Sequence, residues 1–193
     1  VETTGKSAHG STPEKGENAI ENMRLALNLL SDKYQKDLRS RNHSLLGSPT
    51  LSIGKIEGGN QPNIVPNYCQ VELDRRTIPG ETEDSVIKEL NSLFGGLGHA
   101  APKVKISRTV PCPPLQTDPS LPFVQHLLTC ANKSKTQGVP YFTDASPIAM
   151  GGTPAVVFGP GNIDQAHADQ EWIHLEQLEQ AHSIIYSFLQ SLP

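Results

Sequence analysis

Three observations predict an α/β chain in two parts. Residues 1–110 order themselves as strand, helix, strand, strand, helix, strand, the split βαβ or ferredoxin-like α+β plan of one antiparallel sheet with two helices on one face. Within that order, residues 68–76 alternate cleanly, with Cys69, Val71 and Leu73 on one side and Gln70, Glu72 and Asp74 on the other, as a half-buried antiparallel strand does. Further on, Val156-Val157-Phe158 is apolar on both faces, as strands of a covered parallel sheet are. The segment around it supplies too few strands to flank it, and too little surface to offset its own ordering entropy. Residues 111–193 therefore read as part of a larger α/β domain whose other part is absent.

Each element has its own signal. Val1, Thr3 and Thr4 suit a first strand within residues 1–7, which Gly5 weakens. Ser7-Ala8-His9-Gly10-Ser11-Thr12-Pro13 is a polar loop. A helix is expected from about Glu17, because Ile20, Met23, Leu27 and Leu30 keep helical spacing. Residues 31–48 are charged and lose that stripe, so a helix end and a solvated connection are expected there. Residues 50–56 read as the second strand, and Gly58-Gly59-Asn60-Gln61-Pro62-Asn63 as a tight connection into the third. Pro79-Gly80 makes a turn, and Thr82 can cap a helix with Glu83 and Asp84 in its first turn. Its stripe is Val86, Leu90, Leu93 and Phe94, and Gly95, Gly96 and Gly98 stop it. Residues 103–108 alternate again, with Val104 and Ile106 inward, and read as the fourth strand.

Pro111-Cys112-Pro113-Pro114 breaks the pattern and marks a boundary, giving a first domain at 1–110 and a second at 111–193. The second offers a helix at 121–133, strand candidates at 139–143 and 154–158, and a final helix. Leu175, Leu178, Ala181, Ile185, Phe188 and Leu192 form the stripe of that helix.

Composition narrows the function classes. Among 193 residues the net charge is −4 with both signs interspersed, which offers no nucleic-acid or membrane surface. The apolar runs fall far short of the ~20 residues a spanning helix needs. Cys69, Cys112 and Cys130 are odd in number and form no metal-ligand pair, which favours reduced thiols in a cytoplasmic setting.

The chemistry-bearing residues are few. Gly159-Pro160-Gly161 follows the apolar run 154–158, at the strand exit where α/β sheets place ligands, and glycine there admits close backbone approach. His167 comes next, a residue type suited to metal binding or proton transfer; a polar loop with one solvated histidine is the equal alternative. Asp169 forms an H-x-D pair with His167, a spacing that can place two ligands on one metal, but before a helix it reads first as a helix-start residue; Glu171 is either a carboxylate orienting the loop or an ordinary acid near a helix N-terminus. His9, among small residues in a loop, suits reaching a ligand and equally suits plain solvation. Of Arg75 and Arg76, one must face the covered or ligand side of the sheet and the other solvent. A guanidinium there can grip a carboxylate bidentately or make a surface ion pair. Asn63 binds substrate or makes its turn, and Asp144 caps the next helix or touches the site. By spacing alone the chain holds no complete active site.

The motifs in order carry a resemblance. Ser7-Ala8-His9-Gly10-Ser11 with Pro13 and Gly16-Glu17-Asn18-Ala19-Ile20 resembles the start of the lid domain of the co-catalytic zinc amidohydrolases. That family includes acetylornithine deacetylase, succinyl-diaminopimelate desuccinylase, aminoacylase and glutamate carboxypeptidase. Gly58-Gly59, Asn63, Asp74-Arg75-Arg76-Thr77-Ile78-Pro79-Gly80, Thr143-Asp144 and Gly159-Pro160-Gly161 through Gln165-Ala166-His167 to Glu171 continue it across nearly the whole chain. The arginine and glycine motifs look closest to acetylornithine deacetylase.

This resemblance implies a ferredoxin-like lid that dimerises, followed by the C-terminal portion of a zinc-binding catalytic domain. It implies a cytoplasmic homodimer acting on a small N-acyl amino acid in amino-acid biosynthesis. Two zinc ions per site (or cobalt or manganese) would activate water for amide hydrolysis. His167 matches a metal ligand, and the other ligands and the general base would lie in an absent N-terminal portion, leaving this chain inactive alone. His9 matches the lid histidine that crosses to stabilise the oxyanion in the partner's site. Asn63 and Arg76 match substrate-holding residues, with a carboxylate expected on Arg76, and Gly159 and Gly161 would line the site. Arg75 stands where the family usually has an apolar residue, which leaves open which arginine faces the ligand. The competing readings are a non-catalytic dimerisation module, or a related desuccinylase, aminoacylase or carboxypeptidase.

Overall fold

Alternation along Tyr68–Arg76 organises the first half of the chain. In the computed structural model, which describes residues 1–166 and 169–192, this stretch is β3, the centre of a three-stranded antiparallel sheet. β1 (Glu2–Thr4) pairs with one of its edges and β2 (Thr50–Gly58) with the other. β1 and β2 are thus parallel with β3 inserted between them, which is the split βαβ plan. Cys69 and Val71 are buried under the helices, whereas Tyr68, Glu72, Asp74 and Arg76 lie exposed on the other face.

β2 keeps its isoleucines on one face by means of a bulge. Ile53 lies opposite Leu73 and Ile56 opposite Val71, a spacing that a regular strand would send to opposite sides. The register shifts between Ile53 and Lys55, at Gly54, and absorbs the extra residue. Lys55 thereby turns outward, 2.8 Å from Glu57.

Helix α1 (Ala19–Leu29) starts where the Asn18 side chain accepts hydrogen bonds from the amides of Ile20 (2.9 Å) and Glu21 (3.3 Å). The helix end expected at residue 31 does not occur. The chain continues through a π-helical turn (Leu30–Tyr34) into α2 (Gln35–Ser40), burying Leu30, Tyr34 and Leu38. Residues four apart drift around an ideal helix of 3.6 residues per turn, and the wider π turn brings them back to the core. Helix α3 (Glu83–Phe94) opens with a reciprocal cap, Ser85 N–H to Thr82 Oγ1 at 3.1 Å and Thr82 N–H to Ser85 Oγ at 2.9 Å. Met23, Leu30, Leu38, Val71 and Phe94 meet in one fully buried cluster, each contributing roughly 1.5–3 kcal/mol of burial.

Beneath the sheet's end lies a ring of charges. Arg75 points inward, its side chain 7% exposed, and donates Nη2–H to Glu81 Oε1 at 2.7 Å. Its Nε–H reaches Tyr34 Oη at 3.2 Å, and Nη1 holds the carbonyl of Arg76. Glu81 also accepts from Arg41 (2.6 Å) and from the Ile78 amide (3.1 Å). Arg41 bonds Glu89 at 2.8 Å, and Tyr34 Oη–H closes the ring on Glu89 at 2.8 Å. Burial pushes the Tyr34 hydroxyl up to about 12 against the opposing pull of Arg75. Burial also pushes the Glu81 carboxyl upward, but Arg75, the Ile78 amide and Arg41 outweigh it and hold it below its usual range.

Two expectations fail in ways the packing explains. Residues 103–108 form no strand; Lys103 alone bridges Glu2, with amide-to-carbonyl distances of 2.9 and 2.7 Å. β1 is only three residues long, and beyond it Gly5 and Lys6 pair elsewhere, so a fourth strand has no template. The chain divides into two units, Val1–Pro114 and Leu115–Pro193. The second holds α4 (Pro122–Cys130), α5 (Ala145–Met150) and α6 (Leu175–Gln190), with His126 of α4 against Phe188 of α6 at 5.5 Å between ring centroids. Among its described residues no strand forms at 139–143 or 154–158. Val157 is 43% and Phe158 37% exposed, as follows when a doubly apolar segment has no strand on either edge. The last helix begins at Leu175, so Asp169 does not start it.

Glu81→Gln leaves the Arg75 cation without its counter-charge and is expected to destabilise the first unit by about 3 kcal/mol. Because the folded carboxyl titrates lower than an unfolded one, its contribution is full above about pH 4.3 and disappears as the pH falls through the lower folded value. Urea unfolding of both proteins across that acid range should show the variant's stability changing less with pH; parallel curves would contradict this.

Candidate functional site

Backbone pairing continues past the end of the β1–β3 ladder. Gly5 N–H donates to Asn67 O (2.9 Å), Val65 N–H to Ala8 O (2.9 Å) and Gly10 N–H to Asn63 O (2.7 Å). The loop around residues 7–13 therefore runs antiparallel beside residues 63–67, and His9 bridges Ile64. Gly10 permits this close approach, and Gly5 permits another, to Glu17. A Cβ on Gly5 would sit 2.1 Å from the Glu17 carbonyl oxygen, and one on Gly10 would sit 3.0 Å from that of Asn63. The fold thus brings together His9 and Asn63, which lie far apart in the sequence. Both are exposed. Beside them opens a groove of about 540 Å³ bordered by Gly10, Pro13, Ile20, Gly59, Pro62 and Ile64.

The His9 ring is held from one side. Its Nδ1 lies 2.7 Å from Ser11 Oγ and accepts the Ser11 amide at 3.2 Å. The Thr12 amide bonds the His9 carbonyl at 2.9 Å, closing the turn.

Arg76 is not brought to this pair. It ends β3, whose nine residues run away from Asn63 for roughly 26 Å at ~3.3 Å per residue. Its side chain is 52% exposed on the uncovered face of the sheet. Asp74 Oδ2 accepts from its Nε (3.1 Å) and Nη2 (2.8 Å). Strand parity separates the two arginines: Arg75 takes the covered side and Arg76 the open one. The inward position of Arg75 was readable from its parity with Cys69, Val71 and Leu73; the carboxylate it needs, Glu81, and the ring through Arg41 and Glu89 carried no local signal.

The remaining candidates belong to the second unit. Gly161 holds φ +90°, which favours glycine, and a Cβ on Gly159 would meet nothing. Asn162 Oδ1 accepts from the Asp164 amide at 3.1 Å and caps the short turn Ile163–Gln165. Asp144 takes the N-cap position of α5 without a side-chain capping bond. His167 lies outside the described residues. Among the described residues, no group of three or more His, Cys, Asp or Glu side chains could hold a metal ion.

Residues 1–101 match the family model of the peptidase dimerisation domain. The chain belongs to this family. It is 33% identical over 190 residues to the acetylornithine deacetylase of Vibrio atlanticus, across 93% of this chain and 48% of that protein. It is 30% identical over 188 residues to that of Vibrio cholerae, again across 93% and 48%. A tripeptidase from Staphylococcus aureus superposes with a TM-score of 0.73 at 22% identity, over 98% of this chain and 49% of that one, which bears on fold alone. The chain spans about half the length of the curated relatives it matches. His9, Asn63 and Arg76 all fall inside the matched dimerisation domain; Gly159, Gly161 and His167 fall beyond it.

Gly10→Val should force the two loops apart, because the added carbons meet the Asn63 backbone. The Gly10 amide, protected by its bond to Asn63, is expected to exchange with solvent at least tenfold faster in the variant, while the β2–β3 amides keep their protection. Unchanged exchange at residue 10 would refute the close approach.

Proposed function

We propose that this chain is the lid and C-terminal catalytic portion of a metal-dependent hydrolase that removes the acyl group from an N-acyl amino acid, with N-acetylornithine as the leading substrate. The similarity to acetylornithine deacetylases over both units supports the reaction class. The observation that carries the assignment of roles is the separation of His9 and Asn63 from Arg76 along β3. No small acyl amino acid spans that distance within one protomer. In this reading the substrate lies between two copies, held by Arg76 of one and reached by His9 and Asn63 of the other.

Each side chain has chemistry suited to its place. The open Nη1 edge of Arg76 suits the substrate carboxylate, with Asp74 keeping the guanidinium extended. His9 donates a hydrogen bond to the oxygen that gains charge when water adds to the amide carbonyl. Asn63 adds a neutral amide beside it. Gly159 and Gly161 leave room for the ligand at the loop before His167, which is assigned as a metal ligand. Zinc, with cobalt or manganese as substitutes, would be held mainly from outside the described residues.

A homodimer through the first unit fits the same reading. β2 is a nine-residue edge strand whose outer hydrogen-bonding side is unpaired among the described residues, and Ile56 on it is 56% exposed. Such an edge invites a second strand. A cytoplasmic setting accords with three unpaired cysteines. Among the described residues no helix is long and apolar enough to cross a membrane.

Expressed within its full reading frame and loaded with zinc, the protein is expected to hydrolyse N-acetylornithine faster than N-succinyl-diaminopimelate. His9→Ala should lower kcat by about 10²–10³-fold, and Arg76→Met should act mainly by raising KM. Absence of hydrolysis of either compound would sink the enzymatic reading, and the reverse preference would reassign the substrate.

A further inference from the structure

We propose that Ser11 is a positioning residue that fixes His9 as a neutral imidazole with its proton on Nε2, so that the ring meets its ligand as a hydrogen-bond donor. A backbone amide can only donate. The Ser11 N–H is aimed at His9 Nδ1 from 3.2 Å, and the Ser11 hydroxyl lies 2.7 Å from the same nitrogen. A proton on Nδ1 would face that N–H head-on, so Nδ1 is the acceptor, and the hydroxyl can rotate to donate to it as well. A neutral imidazole carries one proton, which is then on Nε2.

The loop that carries both residues is held independently of the ring. Gly10 N–H bonds Asn63, Val65 N–H bonds Ala8, and Thr12 N–H bonds the His9 carbonyl. Ser11 is therefore delivered to Nδ1 by backbone pairing, and the ring's outer nitrogen is left toward solvent. The assignment excludes two other jobs for His9 in this loop conformation. A general base needs an open lone pair on the outer nitrogen, and so does a metal ligand; Nε2–H offers neither. What it offers is a donor to a negatively charged or carbonyl oxygen. The catalytic meaning of this rests on the function proposed above; the protonation pattern does not.

The test is a long-range ¹H–¹⁵N correlation spectrum of the full chain labelled at histidine, recorded above the imidazole titration range. The His9 signals are assigned by their loss in His9→Gln. Wild type should show a protonated Nε2 and a bare Nδ1. Ser11→Ala, which keeps the amide, should keep that pattern. Ser11→Pro, which removes both donors, should gain the Nδ1–H form. A wild-type ring protonated on Nδ1 or mixed between both nitrogens overturns the proposal, as does an unaltered pattern in a folded Ser11→Pro protein. Should Ser11→Pro not fold, the wild-type pattern decides. The enzymatic reading fails separately: full turnover by His9→Ala would remove the catalytic role of the ring, while the protonation pattern of the intact ring decides its positioning by Ser11.

Discussion

An inward-facing arginine at the end of the central strand constrains the first unit. A buried guanidinium without a counter-charge costs several kcal/mol, so Arg75 demands Glu81, and Glu81 ties down the turn that begins at Ile78. The demand passes on through Arg41 at the end of α2, Glu89 in α3 and Tyr34 in the π turn, and returns to Arg75. Sheet and helices are thus locked by one closed circuit. A slip of one residue in β3 would put Arg76 inside and Arg75 outside, so the circuit also specifies the register. That register is what sets Arg76 on the open face, with Asp74 beside it.

Functional consequences follow from the length of one strand. The antiparallel ladder that begins at Gln70 and Glu2 continues past the sheet to Asn63 and Gly10, so each further pair carries His9 away from Arg76. In the proposed reading, a donor at His9 and a carboxylate grip at Arg76 lie too far apart to converge on one small molecule within a protomer. The proposed sharing of a substrate between copies rests on this separation together with membership in a dimerisation-domain family and the β2 edge, which is open among the described residues.

Much of this was readable in the residues, and the exceptions have physical causes. Alternation in residues 68–76 and the cap at Thr82 are local patterns, and they appear where local rules place them; the Asn18 cap of α1 is equally local but was not singled out. The helix through Tyr34 was missed because its stripe advances by fours, which only a π turn keeps on the core. The strand at 103–108 was expected from its own alternation, but pairing depends on a neighbour, and β1 is too short to offer one. The same holds for 154–158, where a parallel-strand composition forms no strand and stays partly exposed without flanking strands. Of the site, the residue types at His9, Asn63 and Arg76 drew attention; the pairing of the first two, and their distance from the third, come from long-range backbone contacts that no local motif encodes. Ser11 stood inside a quoted motif and gave no sign that it grips the ring two residues before it.

The most direct measurement is complementation between two impaired variants of the full-length protein, assayed at substrate concentrations well below the KM of the Arg76 variant. His9→Ala and Arg76→Ala chains are purified separately, then coproduced so that mixed dimers form. If His9 acts across the dimer from Arg76, each mixed dimer regains one site with both residues intact, and random pairing should restore about a quarter of wild-type turnover. Coproduced chains that form mixed dimers yet remain as impaired as either variant alone would contradict the shared site, and with it the reading of β3 as the strand that holds its two halves apart.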